Sequence, residues 1–296
     1  MTVATSRQLL VSVVLPCYRE TVPVLRRTLD SILGQTYPNI EIVVLVDDPG
    51  DKVKFSFLKG LADSDSRVRV VVNSQNLGPW GSYNRGVEEA RGEIIAIQDS
   101  DDVSAPTRIE ALTKFLLDNP AVGVVGSALE YRDEASGKTL MRRTYPSDAA
   151  VAIRRYCPIA HPTTLRWAHL FADHGGYDTS PEYRHAADYE LWCRWYVRGV
   201  RMANIRESLY LYYQSDSNFK TQNVKAILRD TVRIKMRYAR RLHFGVVDYL
   251  WLAVEYLSGA LPARLILAGF YFLNRWRSIH RRAAATADDN SGRPTS

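Results

Sequence analysis

Residues 93–102 read EIIAIQDSDD, and this stretch decides the fold class. It begins with an unbroken apolar run, Ile94–Ile97, of the kind that forms strands buried on both faces of a sheet. Similar runs occur at Leu9–Leu15, Ile40–Val46 and Val68–Val72. Helical patterns separate several of these runs, which predicts an α/β fold with a mostly parallel central sheet flanked by helices.

Proline and glycine positions mark the helix ends. A proline in the first turn and a glycine near the end of the pattern predict helices over residues 23–34 and 78–90. Residues 104–106 predict the start of a third helix. The pattern then predicts a strand over Val122–Leu129 and a hairpin turn over Asp133–Lys138.

Composition and charge exclude several classes of protein. The 296 residues are 46% hydrophobic and 24% charged, which is typical of a globular chain and excludes a fibrous or disordered one. Residues 220–296 carry 14 Lys/Arg against 5 Asp/Glu, a net charge of +9, whereas residues 1–219 sum to −2. Because the basic residues alternate with Trp, Tyr and Leu, we expect an anionic membrane surface as their partner and no nucleic acid.

The basic segment predicts helices at a membrane interface. Arg229–Arg241 predicts a basic helix, and Val246–Leu261 and Arg264–Trp276 are apolar and aromatic-rich. Charged residues interrupt both apolar runs, so neither reaches the ~20 residues that a spanning helix needs. The alternative is that these helices pack onto the rest of the chain or onto a second subunit in a homodimer. Residues 281–296 are predicted to be disordered.

The cysteines and the N-terminus predict a cytoplasmic protein at the inner face of the cell membrane. Cys17, Cys157 and Cys193 lie far apart and have no CxxC spacing, so neither a disulfide framework nor a zinc site is indicated. No apolar signal-peptide core precedes the first strand.

Acidic residues follow two of the predicted strands. Asp99–Asp102 reads DSDD, Asp47-Asp48 follows the second strand, and Pro16–Glu20 adds polar residues after the first. Ligands of open α/β sheets bind outside the carboxyl ends of the strands, so these residues should line one crevice. Carboxylates crowded there suit Mg²⁺ or Mn²⁺ bridging to a diphosphate. The alternative is a solvated turn that caps the next helix.

The sequence resembles the family-two inverting glycosyltransferases, whose fold is called GT-A. The resemblance extends over roughly residues 11–213. The matching stretches, in the family's order, are VVLPCYRE, QTYPNIEIVVLVDD, NLGPWGSYNRGVEEARGEIIAIQDSDD, HPTTLRW, GGYD and HAADYELWCRW.

The resemblance implies a donor site for a UDP-linked sugar, with dTDP- or GDP-linked sugars as alternatives. Asp99 and Asp101 form the D-x-D pair that binds the metal, with Asp101 as the direct ligand. Asp47 or Asp48 is implied to bind uracil or ribose. The donor-binding residues that the match implies are Pro16, Tyr18, Glu20, Asp47, Asp48, Asn76, Gly78, Asn84, Asp99, Ser100 and Asp101.

The resemblance also implies that Asp188 is the general base on the acceptor hydroxyl, although a helix-start aspartate could equally serve the helix dipole. The family usually has Glu where Ala187 stands, so Glu190 or His185 would have to support the base. Tyr83 also departs from the family, which often has Arg there, and Arg85 is a candidate replacement. The acceptor-binding residues that the match implies are Asp102, His161, Thr163, Gly176, Tyr177, His185 and Trp192.

The resulting interpretation divides the chain into three parts. A catalytic domain spans 1–220, with a nucleotide-binding half at 1–103 and an acceptor-binding half at 104–220. A basic helical extension spans 221–280, and the tail follows. The expected acceptor is a lipid-linked glycan in bacterial cell-surface polysaccharide biosynthesis. The alternatives are a catalytically silent sugar-nucleotide-binding scaffold and a sugar-phosphate nucleotidyltransferase, whose Gly-rich loop is missing at Leu15–Glu20.

Overall fold

The computed structural model describes residues 8–214, 223–269 and 272, which form one large sheet with helices on both of its faces. The strands are β1 (Val11–Cys17), β2 (Ile40–Val46), β3 (Val68–Val72), β4 (Ile94–Ile97), β5 (Val103–Ser104), β6 (Val124–Asp133), β7 (Thr139–Arg143), β8 (Leu165–Trp167) and β9 (Met202–Gln214). Their order is β3-β2-β1-β4-β8-β6-β9-β5, and β7 pairs with β6.

The first four strands form the predicted parallel half of the sheet. β1 pairs in parallel with β2 and β4, and β2 pairs in parallel with β3. The connecting helices are α1 (Val22–Leu33), α2 (Lys52–Ser64) and α3 (Gly78–Glu89). The sequence analysis did not predict α2. Its only buried residues are Lys54 and Leu58, so it lacks a clear apolar stripe.

The second half of the sheet is mixed, and long-range pairing shifts two sequence predictions. Ser104, predicted to begin a helix, lies in β5 opposite Tyr210 of β9. The chain stays extended there because it pairs with a strand more than a hundred residues away, and α4 (Arg108–Asp118) begins four residues later. β6 begins at Val124 and continues past the predicted Leu129, because β9 pairs with it in parallel along its length. The predicted turn at Asp133–Lys138 is confirmed between β6 and β7.

Helices cover both faces of the sheet. α1 and α4 pack on one face, and α3 and α6 (Ala187–Tyr196) pack on the other, after the short helix α5 (His169–His174). Gly86 lets α3 approach closely, since a Cβ atom there would lie 2.3 Å from Cγ1 of Val14. This packing brings the side chains of Tyr83 and Asn84 to the carboxyl edge of the sheet.

Two further helices, α7 (Val224–Tyr238) and α8 (Val246–Ser258), follow the sheet, and residues 263–269 are also helical. α7 packs against α6 through a buried cluster. Its members are Ile153, Tyr183, Ala186, Tyr189, Cys193, Ile234, Tyr238 and Leu242. The inner face of α7 therefore packs onto the rest of the chain, as in the alternative raised above.

α8 presents an apolar face to solvent. Leu250 and Leu257 are 63% and 68% exposed. No helix within the described ranges is long and apolar enough to cross a bilayer. The predicted tail at 281–296 and the end of the predicted helix Arg264–Trp276 lie outside the described residues.

Candidate active site

The polar segments that follow β1, β2 and β4 meet at one edge of the sheet. The last residues of β1 and β2, Cys17 and Val46, are register partners, and Val14 of β1 pairs with Ile97 at the end of β4. Parallel pairing in this register places the three strand ends side by side, so the structure forms the predicted crevice.

Asp99 lies at the centre of this edge and is partly exposed. The Tyr83 hydroxyl donates to its Oδ1 at 2.5 Å, and its backbone N–H donates to the Tyr210 hydroxyl at 3.1 Å. Burial raises the pKa of Asp99 to about 6. The negative charges of Asp188 and Glu20 add to this rise, whereas the Tyr83 hydrogen bond opposes it.

Asp101 is also partly exposed, and burial raises its pKa to about 7, with further contributions from the negative charges of Asp99 and Glu20. Its backbone carbonyl accepts a hydrogen bond from Arg27 at 2.7 Å. Arg27 also forms an ion pair with Glu134 at 2.9 Å. Asp101 is therefore held through its backbone, and its carboxylate stays among negative charges.

The chemistry of these two aspartates fits a hard divalent cation. Both offer carboxylate oxygens, both reach solvent, and burial, with neighbouring negative charges second, raises both pKa values. A cation between them would compensate the charges that this environment makes costly. Among the described residues there is no group of three or more His, Cys, Asp or Glu side chains placed to hold an ion. A cation at Asp99 and Asp101 would therefore take its remaining oxygens from water or from ligand phosphates.

A buried polar cluster lies directly behind Asp99, and we call Gln98, Ser104, Arg108 and Tyr210 the support cluster. Arg108 donates to Oε1 of Gln98 at 2.7 Å and to Oγ of Ser104 at 2.6 Å. Gln98 in turn donates to the Tyr210 hydroxyl at 3.2 Å. Burial lowers the pKa of Arg108 to about 10, so it remains a cation. This cluster was not predicted, because no pattern in the neighbouring sequence indicates that Arg108 is buried.

The two aspartates after β2 have different surroundings. Asp47 is buried, and its Oδ1 accepts hydrogen bonds from the Asn73 side chain at 2.7 Å and from the Leu77 backbone at 2.8 Å. Asp48 is partly exposed and accepts from the Gly50 backbone at 3.1 Å. Asp47 thus holds the loop before α3, and Asp48 is the carboxylate that a ligand can reach.

Hydrogen bonds with Glu20 and Lys54 hold the backbone of the segment after β1. Pro16 and Glu20 are partly exposed and Tyr18 is exposed. Glu20 accepts a hydrogen bond from the Tyr18 backbone at 2.7 Å, and the buried Lys54 donates to the Tyr18 carbonyl. Lys54 also forms an ion pair with Asp51 at 3.2 Å. All three predicted donor residues of this segment therefore border the crevice.

Two predicted donor residues begin α3, and a third lies further along it. Asn76 is exposed and accepts from the backbone of Gly78, whose φ is +70°. Asn84 instead binds the Gly-Gly-Tyr-Asp loop. Its Oδ1 accepts from the Tyr177 N–H at 2.7 Å, and its Nδ2 donates to the Tyr177 carbonyl at 2.9 Å. A Cβ atom at Gly176 would lie 2.3 Å from Oδ1 of Asn84, so this close approach requires glycine. Asn84 thus positions the loop.

An aromatic cluster lies behind this loop. His161 is hydrogen-bonded through Nε2 to the Tyr177 hydroxyl at 2.8 Å, and Arg166 donates to the same hydroxyl at 2.9 Å. The rings of Tyr83 and Trp80 meet the His161 ring edge-on at 4.9 and 5.4 Å. Burial and the charge of Arg166 hold the pKa of His161 well below its usual value, so it stays neutral. Trp80 and Arg166 lie inside the matching stretches NLGPWGSYNRG and HPTTLRW but were not predicted as site residues.

Seven of the predicted site residues are buried, namely Asp47, Ser100, Asp102, His161, Thr163, Tyr177 and Trp192. Asp102 accepts from the Tyr213 backbone at 2.8 Å, and burial raises its pKa well above the usual range. Thr163 bonds backbone groups, and Trp192 packs in the core. In this structure Ser100, Asp102, Thr163 and Trp192 support the crevice from beneath, and their contacts with a donor or an acceptor stay predictions.

Asp188 comes from a separate segment and faces Asp99. It is the second residue of α6 and is partly exposed. Its Oδ1 accepts from the Tyr189 backbone at 2.8 Å, and its Oδ2 lies 3.8 Å from Sγ of Cys157. Burial, and next the charge of Asp188, raise the pKa of Cys157 well above its usual value, so the thiol stays protonated. We call Glu20, Asp99, Asp101 and Asp188 the acidic edge.

The two residues predicted to support Asp188 are anchored elsewhere. Nδ1 of His185 is hydrogen-bonded to Asp230 of α7 at 2.8 Å. Glu190 is buried and accepts from the Tyr238 hydroxyl at 2.6 Å and from Arg194 at 3.1 Å. α7 therefore contacts the chain on both sides of Asp188.

Comparison with known proteins assigns the chain to a family. The model described as "Glycosyl transferase family 2" matches residues 12–174, more than half of the chain. The chain belongs to glycosyl transferase family 2. It is therefore a glycosyltransferase. The family match contains Asp99 and Asp101 and ends before Asp188.

Individual members of the family resemble different shares of the chain. An uncharacterized glycosyltransferase of Methanocaldococcus jannaschii is 27% identical over 247 residues, which are 82% of this chain and 84% of that protein. The Escherichia coli UDP-Glc:alpha-D-GlcNAc-diphosphoundecaprenol beta-1,3-glucosyltransferase WfgD is 34% identical over 110 residues, which are 37% of this chain and 42% of that protein.

A solved structure shows the same fold. The mannosyltransferase PcManGT from Pyrobaculum calidifontis, in complex with GDP-Man and Mn²⁺, superposes with a TM-score of 0.63 at 19% identity. The superposition covers 98% of this chain and 89% of that one. The likeness confirms the GT-A-type fold of this family 2 glycosyltransferase.

Proposed function

We propose that this glycosyltransferase transfers a sugar from a UDP-linked donor, in preference to a dTDP- or GDP-linked one, to an acceptor hydroxyl with inversion at the anomeric carbon. The observation that carries the proposal is the convergence of the acidic edge. Glu20, Asp99 and Asp101 follow strand ends, and Asp188 joins them from α6, close enough to raise the pKa of Asp99. Single displacement needs a base on the face opposite the leaving group, and a separate chain segment can supply it.

On the donor side, Asp101 and Asp99 would hold Mn²⁺ or Mg²⁺. Bound there, such a cation would neutralise the charge that develops on a departing diphosphate. Tyr83 and the support cluster fix Asp99, whereas the Asp101 carboxylate is left to bind. Support comes from PcManGT, which is solved with Mn²⁺ and GDP-Man. The proposed nucleotide contacts are the exposed Tyr18 and Asn76 and the partly exposed Asp48.

On the acceptor side, Asp188 would take the proton of the attacking hydroxyl. The protonated thiol of Cys157 lies beside its Oδ2, and the start of α6 fixes its Oδ1. The Gly176–Tyr177 loop, gripped by Asn84, and the neutral His161 behind it would border the bound sugar. His161 is too weak a base to compete for that proton, because its pKa is held low.

The acceptor is proposed to be a lipid-linked glycan of cell-surface polysaccharide biosynthesis, reached at the inner face of the cell membrane. WfgD, by its name, acts on a diphosphoundecaprenol-linked sugar. In this chain, the exposed apolar side chains of the extension and its net charge of +9 over residues 220–296 suit an anionic lipid surface. The exposed apolar residues are Met236, Val246, Val247, Tyr249, Leu250, Val254, Tyr256, Leu257, Leu261, Leu265 and Phe272.

Full-length protein tests the membrane contact. Leu250→Glu combined with Leu257→Glu should abolish sedimentation with anionic vesicles, because both substitutions place a charge on the exposed apolar face of α8 that would enter the lipid. Val53→Glu with Leu117→Glu, two exposed apolar residues of α2 and α4, is the matched control and should sediment like wild type. Wild type that ignores vesicles at low salt, and forms a dimer lost in the Leu250/Leu257 variant, would contradict the membrane contact and assign this face to a subunit interface.

A screen of nucleotide sugars tests the function itself. We expect thermal stabilisation and slow hydrolysis with one UDP-sugar in Mn²⁺, and transfer with inverted configuration once an acceptor is supplied. No response to any nucleotide sugar would contradict an enzyme and favour a silent scaffold. Formation of a sugar nucleotide from a sugar phosphate and a nucleoside triphosphate would instead identify a nucleotidyltransferase.

A further inference from the structure

The start of α6 lacks the side-chain cap that usually fixes a helix entry. Its N-cap residue is Ala186, which makes no side-chain hydrogen bond, and Asp188 follows two residues later. An uncapped helix start leaves backbone N–H groups without partners and allows the first turn to fray. The position of Asp188 therefore depends on contacts from outside the helix as well as on its own bond to the Tyr189 backbone.

The strongest outside contact comes from Asp230 of α7. This carboxylate is fully buried, and its Oδ2 accepts two hydrogen bonds from one residue, His185, from the backbone N–H at 3.1 Å and from Nδ1 at 2.8 Å. Its other oxygen lies 3.3 Å from Nε of Arg229 and 3.7 Å from Nη1 of Arg233. A buried carboxylate is costly unless it is hydrogen-bonded, and two of its bonds hold the residue three positions before Asp188.

Other residues of α7 hold the same segment on both sides of Asp188. Arg237 donates to the Tyr183 hydroxyl at 2.8 Å, and the Tyr238 hydroxyl donates to Glu190 at 2.6 Å. From the opposite side, Nε1 of Trp80 on α3 donates to the Arg184 carbonyl at 2.7 Å. Residues 183–190 are thus held by hydrogen bonds from both α3 and α7. α3 also borders the donor side of the crevice.

We propose that Asp230 is a positioning residue for Asp188, so that the C-terminal extension completes the active site. The inference rests on the proposed role of Asp188 as the base. Asp230 touches no reacting atom. It sets the backbone of His185 and thereby the distance between the Asp188 carboxylate and the acceptor hydroxyl, and a displacement of about 1 Å at a base can cost about 10²-fold in rate.

The test uses the full chain with Asp230→Ala and Asp230→Asn. Asp230→Ala should lower kcat by about 10–100-fold while the KM for donor and the affinity for UDP stay within about twofold. Asp230→Asn keeps one oxygen that can accept the His185 bonds, so it should recover most of the loss. Hydrogen exchange of the backbone amides over 183–190 should be faster in Asp230→Ala than in wild type.

Asp248→Asn is the matched control. Asp248 is another buried carboxylate of the extension, and its partners are Arg154, Arg155 and the Gly245 backbone, none of which belongs to residues 183–190. It should lower Tm without changing kcat or exchange at 183–190. Unchanged exchange or unchanged kcat in Asp230→Ala overturns the inference, and so does a kcat loss in Asp248→Asn of equal size. The proposed function fails separately, through wild type without transferase activity or Asp188→Asn with the wild-type rate.

Discussion

The acidic edge and the support cluster are neighbours and differ in how their charges are compensated. In the support cluster, Nη1 and Nη2 of Arg108 donate to Gln98, Ser104 and the Ile97 carbonyl, so most of its hydrogen-bonding capacity is satisfied, although its buried Nε has no partner among the described residues. In the acidic edge, the carboxylates face one another, and the pKa values of Asp99 and Asp101 rise to about 6 and 7. Satisfied buried networks rigidify a fold, whereas crowded like charges are costly until a ligand compensates them. We therefore assign stability to the support cluster and chemistry to the acidic edge.

The largest effect should come from Asp101→Asn. Removing the carboxylate that would bind the cation directly should lower sugar transfer by about 10⁴-fold or more, since a bound metal contributes several kcal/mol to stabilising a departing diphosphate. Transfer of a radiolabelled sugar measures this loss. Asp118→Asn, an exposed aspartate paired with Lys114 on α4, is the control and should keep full activity. Wild-type activity in Asp101→Asn would remove the acidic edge from the chemistry.

Asp188→Asn should lower kcat by about 10²–10⁴-fold, the usual contribution of a general base. The amide keeps the shape of the side chain and cannot accept the proton of the hydroxyl. The affinity for UDP should hardly change, which calorimetry checks. A wild-type kcat would require another base, and Glu190 and His185 would then be examined first.

Arg108→Met tests the support cluster and should reduce the stability of the fold. The substitution removes the buried donor to Ser104 and to the Ile97 carbonyl and leaves Oε1 of Gln98 with the Ser104 hydroxyl as its remaining donor. This loss should cost about 3 kcal/mol of unfolding free energy and lower Tm by about 6–12 °C. Calorimetric scans measure this change. Arg91→Met, at an exposed position after α3, should leave Tm within about 1 °C. Equal Tm values for the two variants would show that the support cluster does not stabilise the fold.

The smallest effect concerns pH in the absence of metal. The folded-state pKa values of Asp99 and Asp101 lie above the value of 3.8 expected in the unfolded chain, so their contribution to stability is present at low pH and is lost as pH rises through about 6–7. In EDTA at pH 8, Asp101→Asn should therefore raise Tm by about 2–4 °C, and at pH 5 the two proteins should differ little. Equal Tm values at pH 8 would show that the acidic edge carries no repulsion.

The sequence predicted those parts of the molecule that local patterns determine. β2, β3 and β4 are confirmed with their predicted ends, because their runs are almost wholly apolar, with Glu41 and Arg69 as the exceptions. α2 and β5 were not predicted, since α2 buries only Lys54 and Leu58, and β5 exists only by pairing with β9. Such pairing across the chain leaves no periodic trace in either segment.

The site was predictable to the extent that its residues belong to motifs. The structure brings Glu20, Asp99, Asp101 and Asp188 together, as the matching stretches implied. Burial then separates residues that look equivalent in sequence, such as the buried Asp47 and the partly exposed Asp48. Arg108 and Asp230 could not be recognised, because their roles depend on partners brought close only by the fold.

Calorimetric titration of UDP into the full-length protein tests the central claim most directly. If the acidic edge holds a cation that binds the diphosphate, the affinity in Mn²⁺ should exceed that in EDTA by at least about tenfold, or about 1.4 kcal/mol. Asp101→Asn should lose this difference. Equal UDP affinity in Mn²⁺ and EDTA for the wild-type protein would contradict the account.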